Sequence, residues 1–116
     1  MVLDKSNSMK KVEPKPKKIT NKQNLPTLLF YYADWCPYCN QMAVVIEKAQ
    51  QEYAGKLFFY FVDIDSQEGK NISSIYRPVP GGVPYLQFYK KNGEFVSELL
   101  GYVDLNVLKN EISKII

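Results

Sequence analysis

The chain has 116 residues, room for one domain, and its 46% hydrophobic and 23% charged residues exclude a disordered or fibrous protein. Its longest apolar stretches, Leu28–Ala33 and Leu57–Val62, are six residues each, far short of the roughly 20 that a membrane-spanning helix needs. Histidine is absent, which excludes an imidazole base or ligand, and the net charge of +3 divides into +5 for residues 1–24 and −2 for the rest.

Residues 1–24 hold seven lysines against Asp4 and Glu13. The run Lys10-Lys11-Val12-Glu13-Pro14-Lys15-Pro16-Lys17-Lys18 has almost nothing apolar to bury, so ordering it would not offset the entropy lost. It is expected to be a flexible basic arm. It carries no interleaved aromatics, so a solvated tail is preferred to a nucleic-acid or anionic-membrane contact. No apolar run of the secretory kind is visible near its start. Residues 25–116 are expected to be the folded domain.

Thr27–Tyr32 is a continuous apolar and aromatic run of strand length, the pattern of a strand covered on both faces. Cys36 to Tyr53 reads as a helix, with Cys39, Met42, Ala43, Ile46 and Tyr53 on one side and Glu47, Lys48, Gln51 and Glu52 mainly on the other. Pro37 suits its first position and Gly55 follows as a stop. Leu57 to Asp63 reads as a second buried strand, which makes a strand–helix–strand unit with a parallel pair. A short helix is expected around Lys70 to Tyr76, then strands at Tyr85–Tyr89 and Glu94–Leu100 joined at Asn92-Gly93, a strong hairpin signal. Asp104 can cap a last helix carrying Leu105, Leu108, Ile112 and Ile115.

The chemistry sits at Trp35-Cys36-Pro37-Tyr38-Cys39. A cysteine at a strand-to-helix junction is expected to be exposed at the helix N-terminus, where unpaired N–H groups and the helix dipole favour an anion. The thiolate is the nucleophile, so Cys36 is the candidate attacker. Cys39, one turn further in, is the resolving thiol that breaks the mixed disulfide Cys36 forms. Two cysteines and no histidine do not supply the four ligands of an ordinary zinc site, and no metal or other cofactor is expected. A structural disulfide closing so short a loop would constrain the unfolded chain little. Asp34, Asp63 and Asp65 read as a surface charge and a strand end.

The run Ala33-Asp34-Trp35-Cys36-Pro37-Tyr38-Cys39 at the end of a hydrophobic strand resembles the thioredoxin active-site signature. Gly82-Val83-Pro84 resembles that family's cis-proline loop, and Lys91-Asn92-Gly93-Glu94 with Gly101 its final hairpin. The resemblance covers residues 25–116 and implies an α/β thioredoxin-like fold: a central mixed sheet of about four strands flanked by helices. It also implies that Cys36 and Cys39 are catalytic, that Pro84 is cis, and that Trp35, Pro37, Tyr38, Val83 and Pro84 face the substrate.

Its functional implication is a monomeric thiol–disulfide oxidoreductase acting on protein disulfides and served by an upstream thiol reductase or oxidase. No nucleic-acid partner and no integral membrane segment are implied. The compartment fits a reduced dithiol in the cytoplasm, or an extracytoplasmic protein with the arm as tether. Two other functions compete: a non-catalytic module that binds an extended peptide beside Pro84, and a glutathione-linked reductase, since Pro-Tyr between the cysteines resembles glutaredoxins. The departures are specific. Phe30 and Phe61 stand where many family members carry a buried carboxylate and its lysine, and the loop from Arg77 to Pro84 reads about two residues longer than usual.

Overall fold

The computed structural model describes residues 21–75 and 82–116, with residues 73–75 described by backbone alone. The expected arm, except for residues 21–24, and residues 77–81 of the proline loop lie outside the described residues. Seven elements follow in order: β1 (Thr27–Tyr32), α1 (Pro37–Glu52), β2 (Phe58–Asp63), α2 (Gln67–Ile75), β3 (Tyr85–Tyr89), β4 (Phe95–Leu100) and α3 (Leu105–Ile112).

The four strands form one mixed sheet in the order β2-β1-β3-β4. β1 pairs in parallel with β2 across the α1 crossover, Thr27 opposite Phe58 and Tyr32 opposite Asp63. It pairs antiparallel with β3, Phe30 opposite Leu86, and β3 pairs antiparallel with β4. The continuous apolar runs of β1 and β3 follow from this topology, because inner strands are covered on both faces. Leu28, Phe30, Leu86 and Phe88 pack with Met42, Val45, Ile46 and Ala49 of α1 and Leu108 and Ile112 of α3. Leu29, Tyr31, Tyr85 and Tyr89 face the other way, with Val62 and Ile72 of α2. Each such fully buried aliphatic contributes about 1.5–3 kcal/mol relative to exposure.

Three expectations are corrected. β2 is only half-buried, and Phe61 is an exposed side chain, because among the described residues β2 stands at an edge of the sheet. On α1, Ala43 is exposed, whereas Val45 and Ala49 complete the buried stripe. α2 begins at Gln67 rather than near Lys70, because the Ser66 hydroxyl accepts the Gly69 N–H (2.9 Å) and so caps the helix earlier.

The remaining boundaries follow local chemistry. The Asp104 carboxylate accepts the Val107 N–H and starts α3. Gly93 takes φ +91° in the β3–β4 turn, where a residue without Cβ carries no steric cost. The Glu111 carboxyl is pushed up by burial, but hydrogen bonds from Lys114 and Ser97 outweigh that and hold it below its ordinary value.

Candidate active site

Tyr32 ends β1, and Ala33, Asp34 and Trp35 turn the chain into α1. Cys36 is the N-cap, with extended backbone angles (φ −100°, ψ 108°) and Pro37 next in the first turn. Its sulfur takes the place of the usual capping oxygen. The Cys39 N–H donates to Cys36 Sγ at 3.1 Å, so the first turn directs a backbone dipole at the sulfur and stabilises negative charge there. The Cys36 S–H donates in turn to the Val83 carbonyl at 3.6 Å. The Val83–Pro84 peptide bond is cis. Pro84 is buried at the head of β3, where its carbonyl accepts the Gly101 N–H at 2.8 Å.

The two cysteines are unbridged. Cys36, expected to be exposed, is 4% exposed. The Val83 carbonyl lies against its sulfur, so only an edge of the thiol is open to the surroundings. Trp35, Pro37 and Tyr38 are exposed around it. Cys39 is 2% exposed. Burial, reinforced by the hydrogen bond with Cys36, pushes its thiol up to about 12. The pair is therefore asymmetric: one sulfur has a dipole arranged to hold its charge, and the other is strongly disfavoured as an anion.

Sequence reasoning missed one member of the site. Asp65, read as part of a strand end, accepts the Trp35 indole N–H at 2.8 Å. It thereby ties the turn after β1 to the turn after β2. The available signal was topological, since parallel strands end on the same side and the residues just past β2 must neighbour those just past β1. Asp63 does serve as a strand end, its side chain accepting the Asp65 N–H at 3.0 Å. Replacing Asp65 by Ala releases an exposed indole that is now fixed. The expected result is faster Trp35 rotation, read as a drop in fluorescence anisotropy, with stability changed by about 1 kcal/mol or less.

Phe30 packs in the same buried cluster as Cys36 and Cys39. Its ring is 4% exposed and meets Phe61 edge to face at 6.0 Å. Beside this pair opens a cleft of about 380 Å³ between α1 and the β2 edge, reaching Cys39. Tyr32 borders it, its phenol raised above the ordinary value first by burial and then by the Asp63 and Asp34 charges. Among the described residues no three His, Cys, Asp or Glu side chains gather to hold a metal ion, and no helix is long and apolar enough to cross a membrane.

The comparisons with known proteins bear on the same region. The family model described as Thioredoxin matches residues 9–114. The chain is similar to a thiol:disulfide interchange protein TxlA homolog of Synechocystis sp., 29% identical over 91 residues, which is 78% of this chain and 49% of that protein. It is 30% identical over 102 residues to the chloroplastic M-type thioredoxin of Spinacia oleracea, covering 84% of this chain and 51% of that protein. A thioredoxin of Synechocystis sp. is 30% identical over 90 residues, 78% of this chain and 79% of that protein. The chain thus spans about half the length of the first two relatives.

Proposed function

The chain belongs to the thioredoxin family, a family of thiol–disulfide oxidoreductases, and from that premise we propose that it exchanges a Cys36–Cys39 dithiol with disulfides of protein substrates. The observation that carries this reading is the Cys39 N–H directed at Cys36 Sγ at 3.1 Å. A sulfur that caps a helix is stabilised when charged, and the thiolate is the attacking species. Cys36 displaces one sulfur of the substrate and is left in a mixed disulfide. Cys39 then attacks Cys36, closes the intramolecular disulfide and releases the second substrate sulfur as a thiol. Two electrons pass from protein to substrate, and the same steps reversed oxidise a substrate dithiol.

The rim supports a protein rather than a small disulfide as substrate. Trp35 and Tyr38 offer exposed rings beside the sulfur, and the Val83 backbone faces Cys36. An extended peptide segment can pair with such a backbone edge. An upstream thiol partner resets the pair, and its identity as reductase or oxidase follows from the potential, where about 30 mV corresponds to 1.4 kcal/mol.

Equilibration across a dithiothreitol redox series, followed by Trp35 fluorescence, tests the reading. A single reversible two-electron transition is expected. A pair that fails to cycle between dithiol and disulfide would overturn the proposal in favour of a peptide-binding module.

A further inference from the structure

We infer that the cleft beside Cys39 is the route by which the resolving thiol loses its proton, with Asp34 and Glu47 as the receiving carboxylates. The inference rests on the exchange chemistry proposed above and addresses the step which that chemistry leaves unexplained. In the mixed disulfide, Cys36 Sγ is bonded to the substrate and is no longer a base. Cys39 must still shed a proton before its sulfur can attack, and burial opposes the charged form. Directly behind it stand the rings of Phe30 and Phe61, and neither accepts a proton.

The cleft offers the way out. Cys39 forms part of its wall, and about 380 Å³ is room for roughly a dozen waters at about 30 Å³ each. Along α1, Cys39, Ala43 and Glu47 fall at i, i+4 and i+8 and so share one face. Ala43 is small enough to leave the space between them open. Helical side chains lean toward the N-terminus, and Glu47 lines the same cleft as Ala43 and Cys39. Asp34 borders the same cleft from the turn after β1.

The titratable groups around Cys39 are therefore Cys36 on its own helix cap, Tyr32 and Asp34 from β1 and its turn, and Glu47 from α1. Asp63 at the end of β2 faces Tyr32. Tyr32 is itself held protonated by burial and by its acidic neighbours, which leaves the two carboxyl groups as acceptors.

The step balances without an external reagent. The Cys39 proton passes through water in the cleft to Asp34 or Glu47, and Cys39 Sγ bonds to Cys36 Sγ. The bond from Cys36 to the substrate sulfur breaks, the substrate leaves as a thiolate, and it recovers a proton from the carboxylic acid or from solvent.

Ellman's reagent separates the two steps, because the reduced protein releases one thionitrobenzoate on Cys36 attack and a second on resolution by Cys39. In the Asp34→Asn, Glu47→Gln double variant, the second release at neutral pH is expected to slow about tenfold or more while the first stays within about twofold. Added imidazole buffer, small enough to enter the cleft, restores the second rate. Ala43→Leu, which fills the cleft, slows the second release in the same way without rescue by the buffer. A second release within about twofold of the unsubstituted protein from about pH 6 to about pH 9 in the double variant overturns the inference. So does a slowed second release in the double variant that imidazole leaves unchanged, since the carboxylates would then act only on structure. Loss of the first release would instead count against the exchange chemistry itself.

Discussion

Cys36→Ser lowers disulfide turnover by about a thousandfold or more, whereas Cys39→Ser preserves the first attack and accumulates a covalent complex with substrate. The asymmetry follows from the surroundings of the two sulfurs. Cys36 caps α1 and receives the Cys39 N–H. A serine hydroxyl there keeps the cap but is a far poorer nucleophile, so the helix survives and the chemistry does not. Cys39 touches no substrate in the first step; its loss removes only the internal thiol that would cleave the mixed disulfide. Initial rates on a disulfide-bonded protein, with non-reducing electrophoresis of the reaction, read both effects. Equal and full activity of the two variants is incompatible with the assignment.

Gly69→Ala is expected to destabilise the fold by about 3 kcal/mol or more. A Cβ at Gly69 would stand 2.0 Å from the Asp63 carbonyl oxygen and 2.8 Å from its carbonyl carbon. Both are backbone atoms at the end of β2, so no side chain can rotate away. Ser66 holds the same two segments together, its hydroxyl donating to the Asp63 carbonyl at 2.7 Å and accepting the Gly69 N–H at 2.9 Å. Relief requires the first turn of α2 to lift off β2, which also displaces Asp65 from Trp35. The control is Gly55→Ala, where a Cβ meets nothing within 4 Å and only the φ of +78° opposes it; about 1 kcal/mol is expected there. Denaturant unfolding separates the two, and a Gly69→Ala midpoint equal to that of the unsubstituted protein would contradict the packing.

Which parts of this architecture were legible in the sequence depends on how local their causes are. β1, β3 and α3 could be read because each carries its signal within its own residues: a six-residue apolar run, the Asn92-Gly93 turn, and Asp104 ahead of spaced leucines and isoleucines. The cysteine motif was equally local. The exposure of Phe61 was not, since Leu57–Val62 is as apolar as Leu28–Ala33, and only strand order puts β2 at an edge among the described residues. The start of α2 was missed because it is set by the Ser66 hydroxyl accepting the Gly69 N–H, and Gly69 itself has low helix propensity. The burial of Cys36 and the partnership of Asp65 with Trp35 are both tertiary. They arise where the Pro84 loop and the end of β2 approach the first turn of α1, at sequence separations of 47 and 30 residues.

The far face of the sheet bears on the site through register. Tyr31, Tyr85, Gln87 and Tyr89 are fully buried. Tyr89 donates to Gln87 Oε1 at 3.0 Å, and weaker contacts join Gln87 to Tyr31 and Tyr85. The opposite face of β3 carries Leu86 and Phe88, packed with Leu28 and Phe30 of β1. Sliding β3 by one residue would exchange its faces, driving two tyrosine hydroxyls and an amide into the hydrocarbon under α1 and α3. β3 is thus indexed by the chemical contrast between its two sides. Since Val83 and Pro84 lead directly into it, that index also fixes how far the Val83 carbonyl stands from the Cys36 sulfur. The tyrosine layer acts as a ruler for a thiol on the other side of the sheet.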